Sequence, residues 1–299
     1  GWTDIGTEQT QTVWGQGRSK SFDLSTNTTA YQYYRLRITG ARLSTSDNND
    51  DYVAIGEWKL FTGTSQTYWT EQEKLMASDA ASNDNFGLGL SISSDYAIVG
   101  SPYNDSPDNS GSVYVYIRSG SSWTQQTKLT ASDAASNDEF GLDVSMSGDY
   151  AIVGANSGDQ RPGSAYIFKR SGTSWSQQAK IQASDKEAND TFGRGVTISG
   201  DYAAVGADNE DTSGSNAGSV YIFKRSGTSW SQQQKIQSND IQADDYFGGG
   251  AGQGVSLSGD TLAVGARKED TGGSEAGSVY IFKKASGSET WSQEAKLQA

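Results

Sequence analysis

Residues 192–236 read FGRGVTISGDYAAVGADNEDTSGSNAGSVYIFKRSGTSWSQQQKI, from Phe192 to Ile236, and this stretch decides the fold. An alternating run, Val196-Thr197-Ile198, meets the turn Gly200-Asp201, and the small-residue run Tyr202–Gly206 follows. A polar loop leads to Gly218-Ser219-Val220-Tyr221-Ile222-Phe223, and a Ser-Gly turn then brings in Trp230–Ile236. Period-two alternation bounded by Gly-containing turns is the pattern of antiparallel hairpins. The stretch therefore predicts four short strands.

Working outward, the same order recurs. Phe-Gly stands at Phe86-Gly87, Phe140-Gly141, Phe192-Gly193 and Phe247-Gly248, with spacings of 54, 52 and 55. Trp69, Trp123, Trp175, Trp230 and Trp291 keep step with it. Four-stranded units of about 50 residues in tandem are the sequence form of propeller blades. No segment holds a 3.6-residue apolar period, which excludes a helical solenoid. The fold class expected is all-β: a β-propeller of four-stranded blades over residues 63–299, with four repeats plus one extra strand, Trp69–Leu75. An odd strand cannot belong to a ring of whole blades, so it either completes a neighbouring blade or implies further blades.

Residues 1–62 lack the repeat. They carry two strand-like runs, Tyr33–Ile38 and Val53–Leu60, around a polar stretch, Ser44–Asp51. We expect an N-terminal partial β-sandwich segment there, too small to be a stable domain alone.

Composition narrows the function classes. Zero Cys and zero His among 299 residues remove disulfides, thiolate or imidazole metal ligation, and nucleophile–His catalysis. A net charge of −13 argues against nucleic acid and anionic membrane as partners. No apolar run approaches a membrane span of roughly 18 residues. Gly1 in place of Met, with no leader-like opening, leads us to expect a processed or excised chain.

The Phe-Gly, Val-Gly-Ala and Gly-Ser-Val-Tyr-Ile-Phe signatures make residues 69–299 resemble the FG-GAP repeats of integrin-alpha-type propellers. The resemblance implies extracellular adhesion through ligand-binding surfaces, without catalysis. The calcium loop associated with that family, Asp-x-Asp-x-Asp-Gly, is absent here. Residues 20–62, with Phe22-Asp23-Leu24, Tyr33-Tyr34-Arg35-Leu36 and Ile55–Leu60, resemble the C-terminal part of a discoidin-type (coagulation-factor type C) sandwich. That resemblance lends no sugar- or lipid-binding residue to this chain.

Alternating strand directions sort the connections onto two ends of each blade. The loops between second and third strands and the blade-to-blade connections share one end, where most acidic residues fall. The other end receives Arg118, Lys169-Arg170, Lys224-Arg225 and Lys283-Lys284, so a disc with one acidic and one basic face is expected. Within the acidic loops a pair of Asp precedes each Phe-Gly: Asp79/Asp84, Asp133/Asp138, Asp185/Asp190 and Asp240/Asp245. A further Asp follows each Val-Gly, at Asp105, Asp159, Asp211 and Asp270. These acids are either turn residues bonding their own backbone or weak calcium ligands in oxygen-rich loops. Calcium is the only cofactor this pattern suggests, and none is required.

The remaining features have structural readings. Repeated Trp and Tyr/Phe pairs point to packing between blades. Lys74, Lys128, Lys180, Lys235 and Lys296 on the fourth strand read as guards against edge-to-edge pairing. Gly248–Gly254 reads as a bulged or flexible blade entry, without the Lys-Ser/Thr of a phosphate loop. Asn27, Asn104 and Asn189 match the glycosylation acceptor pattern. The expectation is a non-catalytic extracellular or cell-surface structural and adhesive protein. Its partners would be itself, through head-to-tail stacking or strand complementation, or an extracellular protein or glycan. The alternative is a calcium-dependent carbohydrate- or protein-ligand-binding module.

Overall fold

In a computed structural model, residues 71–104, 109–156, 161–249 and 254–298 are described below. Contacts divide the chain into Gly1–Thr70 and Glu71–Ala299. The expected sandwich segment, Asn27, Asp105 and Asp159 lie outside the described residues.

Among those residues there are strands and turns, and no helix. The first sheet holds β1 (Leu90–Ser93), β2 (Tyr96–Ser101), β3 (Ser112–Ser119) and β4 (Ser122–Leu129). The second holds β5 (Val144–Ser147), β6 (Tyr150–Ala155), β7 (Ser164–Ser171) and β8 (Ser174–Ile181). The third holds β9 (Gly195–Ser199), β10 (Tyr202–Ala207), β11 (Ser219–Ser226) and β12 (Ser229–Ile236). The fourth holds β13 (Val255–Ser258), β14 (Thr261–Ala266), β15 (Ser278–Lys284) and β16 (Trp291–Gln298). Each sheet is an antiparallel meander in sequence order. First strands of consecutive sheets contact each other, β1 with β5, β5 with β9 and β9 with β13, in a propeller-like arrangement.

Turn chemistry explains the hairpins. Ser147 pairs with Tyr150, leaving Gly148-Asp149 as a two-residue loop with Gly148 at φ 58°. A positive φ at the first loop position is what a tight hairpin matching strand twist requires. In the first sheet Ser94 takes this place at φ 53°.

The cores lie between sheets, because alternate residues of every inner strand face opposite neighbours. Val113, Val115 and Leu129 of the first sheet pack with Val144, Met146, Val153, Tyr166 and Phe168 of the second. Equivalent clusters join the second to the third and the third to the fourth. Phe-Gly is the hinge of each joint. Phe140 bridges to Gly111 of the first sheet while its ring packs edge-on against Tyr166 and Phe168 of the second.

The two glycine signatures are halves of one contact. A Cβ on Gly100, Gly154 or Gly206 would lie 1.9, 2.0 or 1.9 Å from the carbonyl oxygen of Gly141, Gly193 or Gly248. Val-Gly of one sheet and Phe-Gly of the next therefore recur together because their backbones touch.

The aromatic expectation holds. Tyr96 meets Trp175, Tyr150 meets Trp230 and Tyr202 meets Trp291, with ring centroids 6.3, 6.3 and 6.0 Å apart. Such edge-on pairs contribute about 0.5–1.5 kcal/mol beyond burial. Each outer hairpin carries a β-bulge, and in the first two sheets it aims one more group across the joint. The register skips Gln126 and Gln178, whose Oε1 atoms accept from Trp175 Nε1 and Trp230 Nε1, both at 3.2 Å.

One expectation is corrected. Residues 71–75, the described part of the extra strand, form no strand. They still lie where a preceding sheet's fourth strand would. The Glu73 carboxylate accepts from Trp123 N at 2.7 Å, as Gln234 does from Trp291 N at 2.8 Å. Leu75 packs on the first sheet's core. Among the described residues, no third strand bonds with them.

Candidate functional site: the acidic loop end

The first Asp of each pair belongs to a recurring cluster. Tyr114, Tyr166, Tyr221 and Tyr280 on the third strands lie opposite Lys128, Lys180, Lys235 and Lys296 on the fourth. Each ammonium sits 5.3–5.5 Å from its tyrosine ring centroid. It reaches Asp79, Asp133, Asp185 or Asp240 at 2.6, 2.6, 2.8 or 2.6 Å. Tyr114 and Tyr166 donate their hydroxyls to Asp79 and Asp133 at 2.7 and 2.9 Å.

These lysines are therefore tied to the blade's own connection, not splayed from its edge, which corrects the edge-guard reading for these four. Cross-strand pairing with Tyr directs each stem along the sheet and onto the carboxylate. Lys128 and Tyr114 hold Asp79 below the usual carboxylate range. At Asp133 partial burial raises the pKa, and the Lys180 and Tyr166 bonds outweigh it.

A third member closes the cluster in three sheets. Lys128 also donates to Asn104 Oδ1 at 2.8 Å, and Lys235 and Lys296 pair with Glu210 and Glu269 at 2.9 Å. Glu269 is fully buried. It accepts from the Ser278 hydroxyl at 2.6 Å, Thr271 N at 3.0 Å and the Thr271 hydroxyl. Burial alone would raise its pKa, but the Ser278, Thr271 and Lys296 bonds hold it down to about 2.

The second Asp of each pair has a different task. Asp84, Asp138, Asp190 and Asp245 are buried. Their Oδ2 atoms accept from the backbone N–H three residues earlier, Ala81, Ala135, Glu187 and Gln242, at 2.8, 2.7, 2.6 and 2.7 Å. That is the local side-chain-to-backbone bond which makes Asp a turn former. Burial pushes Asp190 up to about 6.

The eight calcium candidates thus divide into four lysine-paired carboxylates and four turn-forming ones, of which Asp138 also takes Arg161 at 2.6 Å. Among the described residues no group of three or more His, Cys, Asp or Glu is placed to hold a metal ion. Asn104 is buried, with its amide bonded to Ser112, Lys128 and Asp84, so the folded chain does not present it as a glycan acceptor. Asn189 is exposed.

The opposite end departs from expectation. Arg118, Arg170, Arg225 and Lys284 each pair with the turn Asp of their own sheet, Asp95, Asp149, Asp201 and Asp260. Lys224 adds Glu289 at 2.7 Å. The cations that suggested a basic face are largely neutralised, and one end of the blades is acidic while the other is nearly balanced.

Asp143 escaped sequence reading. Its carboxylate accepts from Val144 N at 2.9 Å and from Val196 N, in the next sheet, at 2.8 Å. Gly89, Gly195 and Gly254 stand at the same place in the other units, so repetition gave no signal. Burial raises Asp143 to about 6, against the pull of those two N–H groups.

The FG-GAP repeat family matches residues 69–116, 123–168, 175–223 and 230–282, more than half of the chain. Each match opens at a Trp and ends in a third strand, so the last three straddle two sheets as the joints do. No curated protein matches. Similar solved structures include a protein from Lactobacillus plantarum, at 12% identity and TM-score 0.49, covering 71% of this chain and 55% of that one. Another is Saccharomyces cerevisiae Sqt1, at 12% identity and TM-score 0.42, covering 73% of this chain and 49% of Sqt1. This chain spans about half the length of both. With four tandem units matched and all four built as four-stranded blades, the chain belongs to the FG-GAP repeat family.

Proposed function

We propose that the chain is a non-catalytic extracellular structural and adhesive scaffold that also associates with itself, and whose acidic loop end meets basic patches on protein partners. The observation that supports this is the recurring Asp–Lys–Tyr cluster. It ties every blade connection to the sheet it precedes, so the exposed carboxylates are carried on a rigid frame. Loops on a rigid scaffold are where binding usually resides.

Glu187, Asp211, Asp244 and Asp270 are exposed at that end. The test is adhesion of chain-coated beads to cells and matrix, comparing wild type with a variant carrying Glu187→Lys, Asp211→Lys, Asp244→Lys and Asp270→Lys. Adhesion should fall about tenfold or more, equivalent to about 1.4 kcal/mol, and fall likewise as salt rises. Equal adhesion by the variant defeats the reading. Adhesion lost in chelator and regained with calcium favours a calcium-dependent module instead.

A further inference from the structure

The large hydrophobics exposed among the described residues are Met76, Leu88, Leu90, Ile92, Val279 and Leu297. Leu90 and Ile92 lie on the outward face of the first sheet and Val279 and Leu297 on that of the fourth, while Met76 and Leu88 come just before the first sheet. Leu90 and Ile92 are 63% and 65% exposed, whereas Val144 and Met146, at the same places in the second sheet, are 0% and 8% exposed. Leu297 is 54% exposed, whereas Leu129, Ile181 and Ile236 are buried.

The backbone shows the same two half-joints. A Cβ on Gly265 would meet only Gly254 O, at 3.8 Å, and one on Gly87 would meet nothing within 4 Å. These are the Val-Gly and Phe-Gly glycines of an unmade contact. The polar register is unmade too. Across the three joints, Ser91, Ser145 and Thr197 hydroxyls accept from Met146, Ile198 and Leu257 N, at 3.0, 3.2 and 3.1 Å. Ser93, Ser147 and Ser199 do the same for Gly148, Gly200 and Gly259 N. Their counterparts on β13, Ser256 and Ser258, are exposed.

We propose that the outward face of the fourth sheet docks on the outward face of the first sheet of a second copy, making between chains the joint made three times within one. In that register Ser256 and Ser258 accept from Ile92 N and Ser94 N of the second copy. Gly265 lies against Gly87, and Glu294, the residue skipped by the β16 bulge, faces Trp123 Nε1 as Gln126 faces Trp175. One local change is needed. Residues 71–75 lie where the incoming β16 belongs. Among the described residues they have no strand partner, whereas β16 is fully laddered to β15, so they yield and Leu297 takes the place of Leu75. The contact joins two different faces, so copies add in one direction until the ring closes.

The inference rests on the self-association in the proposed function and specifies its surface. Light scattering of the full chain over a range of concentrations tests it. Wild type should associate, and more strongly in sulfate, as an apolar joint does. Gly265→Ala should keep the wild-type melting temperature while weakening association at least about tenfold, because its methyl meets the second copy's Gly87 carbonyl. Leu90→Glu with Ile92→Glu should do the same from the other side. An equal mixture of these two variants should give dimers and nothing larger, since each retains one sound face. A monomeric wild type overturns both this joint and the self-association reading. Association that persists in both variants and dissolves in salt overturns the joint alone, assigning assembly to the charged ends.

Discussion

At the scale of single residues, buried carboxylates with opposite perturbations set how stability follows pH. Glu269 has a folded pKa of about 2 against an ordinary 4.5. Its depressed value means it stabilises the fold above pH 4.5, and that contribution is lost as pH falls towards 2. Glu269→Gln should flatten the acid limb of a urea-denaturation series and cost about 1–3 kcal/mol at neutral pH, since its Ser278, Thr271 and Lys296 partners lose an ionised acceptor. Asp143 acts in the other direction. Its folded value of about 6 exceeds 3.8, so the folded state binds the proton more readily and stability falls as pH rises between those values. Asp143→Gly, the residue the other three units carry here, should lessen that decline in a melting-temperature series from pH 4 to 7. Asp190, raised to about 6, retains its own share. The sequence showed which acids recur, and recurrence identified Asp79 through Asp245 as equivalent positions. It could not show their partners, because the Lys and Tyr that fix them come from strands about 50 residues away.

At the scale of elements, each sheet is stable only against its neighbours, as in other repeat architectures. The glycine contacts make this dependence sharp. Gly154→Ala would put a methyl 2.0 Å from Gly193 O, backbone against backbone, where no side chain can move aside. Loss of the second-to-third joint should cost upward of roughly 3 kcal/mol, beyond ordinary overpacking, and calorimetry should show a lowered and broadened transition. Phe-Gly and Val-Gly were legible as repeat markers for this reason: side-chain size is forbidden at both places at once. The described part of the Trp69–Leu75 run, residues 71–75, was misread for the complementary reason. Its alternation matches Trp123–Leu129, yet a strand also needs a bonded neighbour, and pattern alone does not tell whether one is present. The fourth-strand lysines were misread because a lone cation on an outer strand looks the same in sequence whether it meets water or a carboxylate.

At the scale of the whole blade array, the fourth sheet differs from the other three at one informative position. Tyr96, Tyr150 and Tyr202 open the second strands of the first three sheets and stack on the next sheet's Trp, whereas the fourth has Thr261 there. The same rings also take the guanidinium of Arg170 and Arg225, at 4.3 and 4.4 Å from the centroids of Tyr96 and Tyr150. In the joint with a second copy, Trp123 and Arg118 therefore meet a threonine, and this contact is weaker than those within the chain. A weaker joint suits an assembly that forms and dissolves with concentration while its blades stay folded. Thr261→Tyr supplies the absent ring on an exposed strand position, where a tyrosine is well tolerated. One edge-on pair and one cation–π contact contribute about 1–2.5 kcal/mol together, so the variant should associate at a concentration about five- to sixtyfold lower than wild type. Sedimentation velocity on both chains measures the ratio. Adding Trp123→Ala to the variant should remove the gain, because the new ring then has no indole to meet.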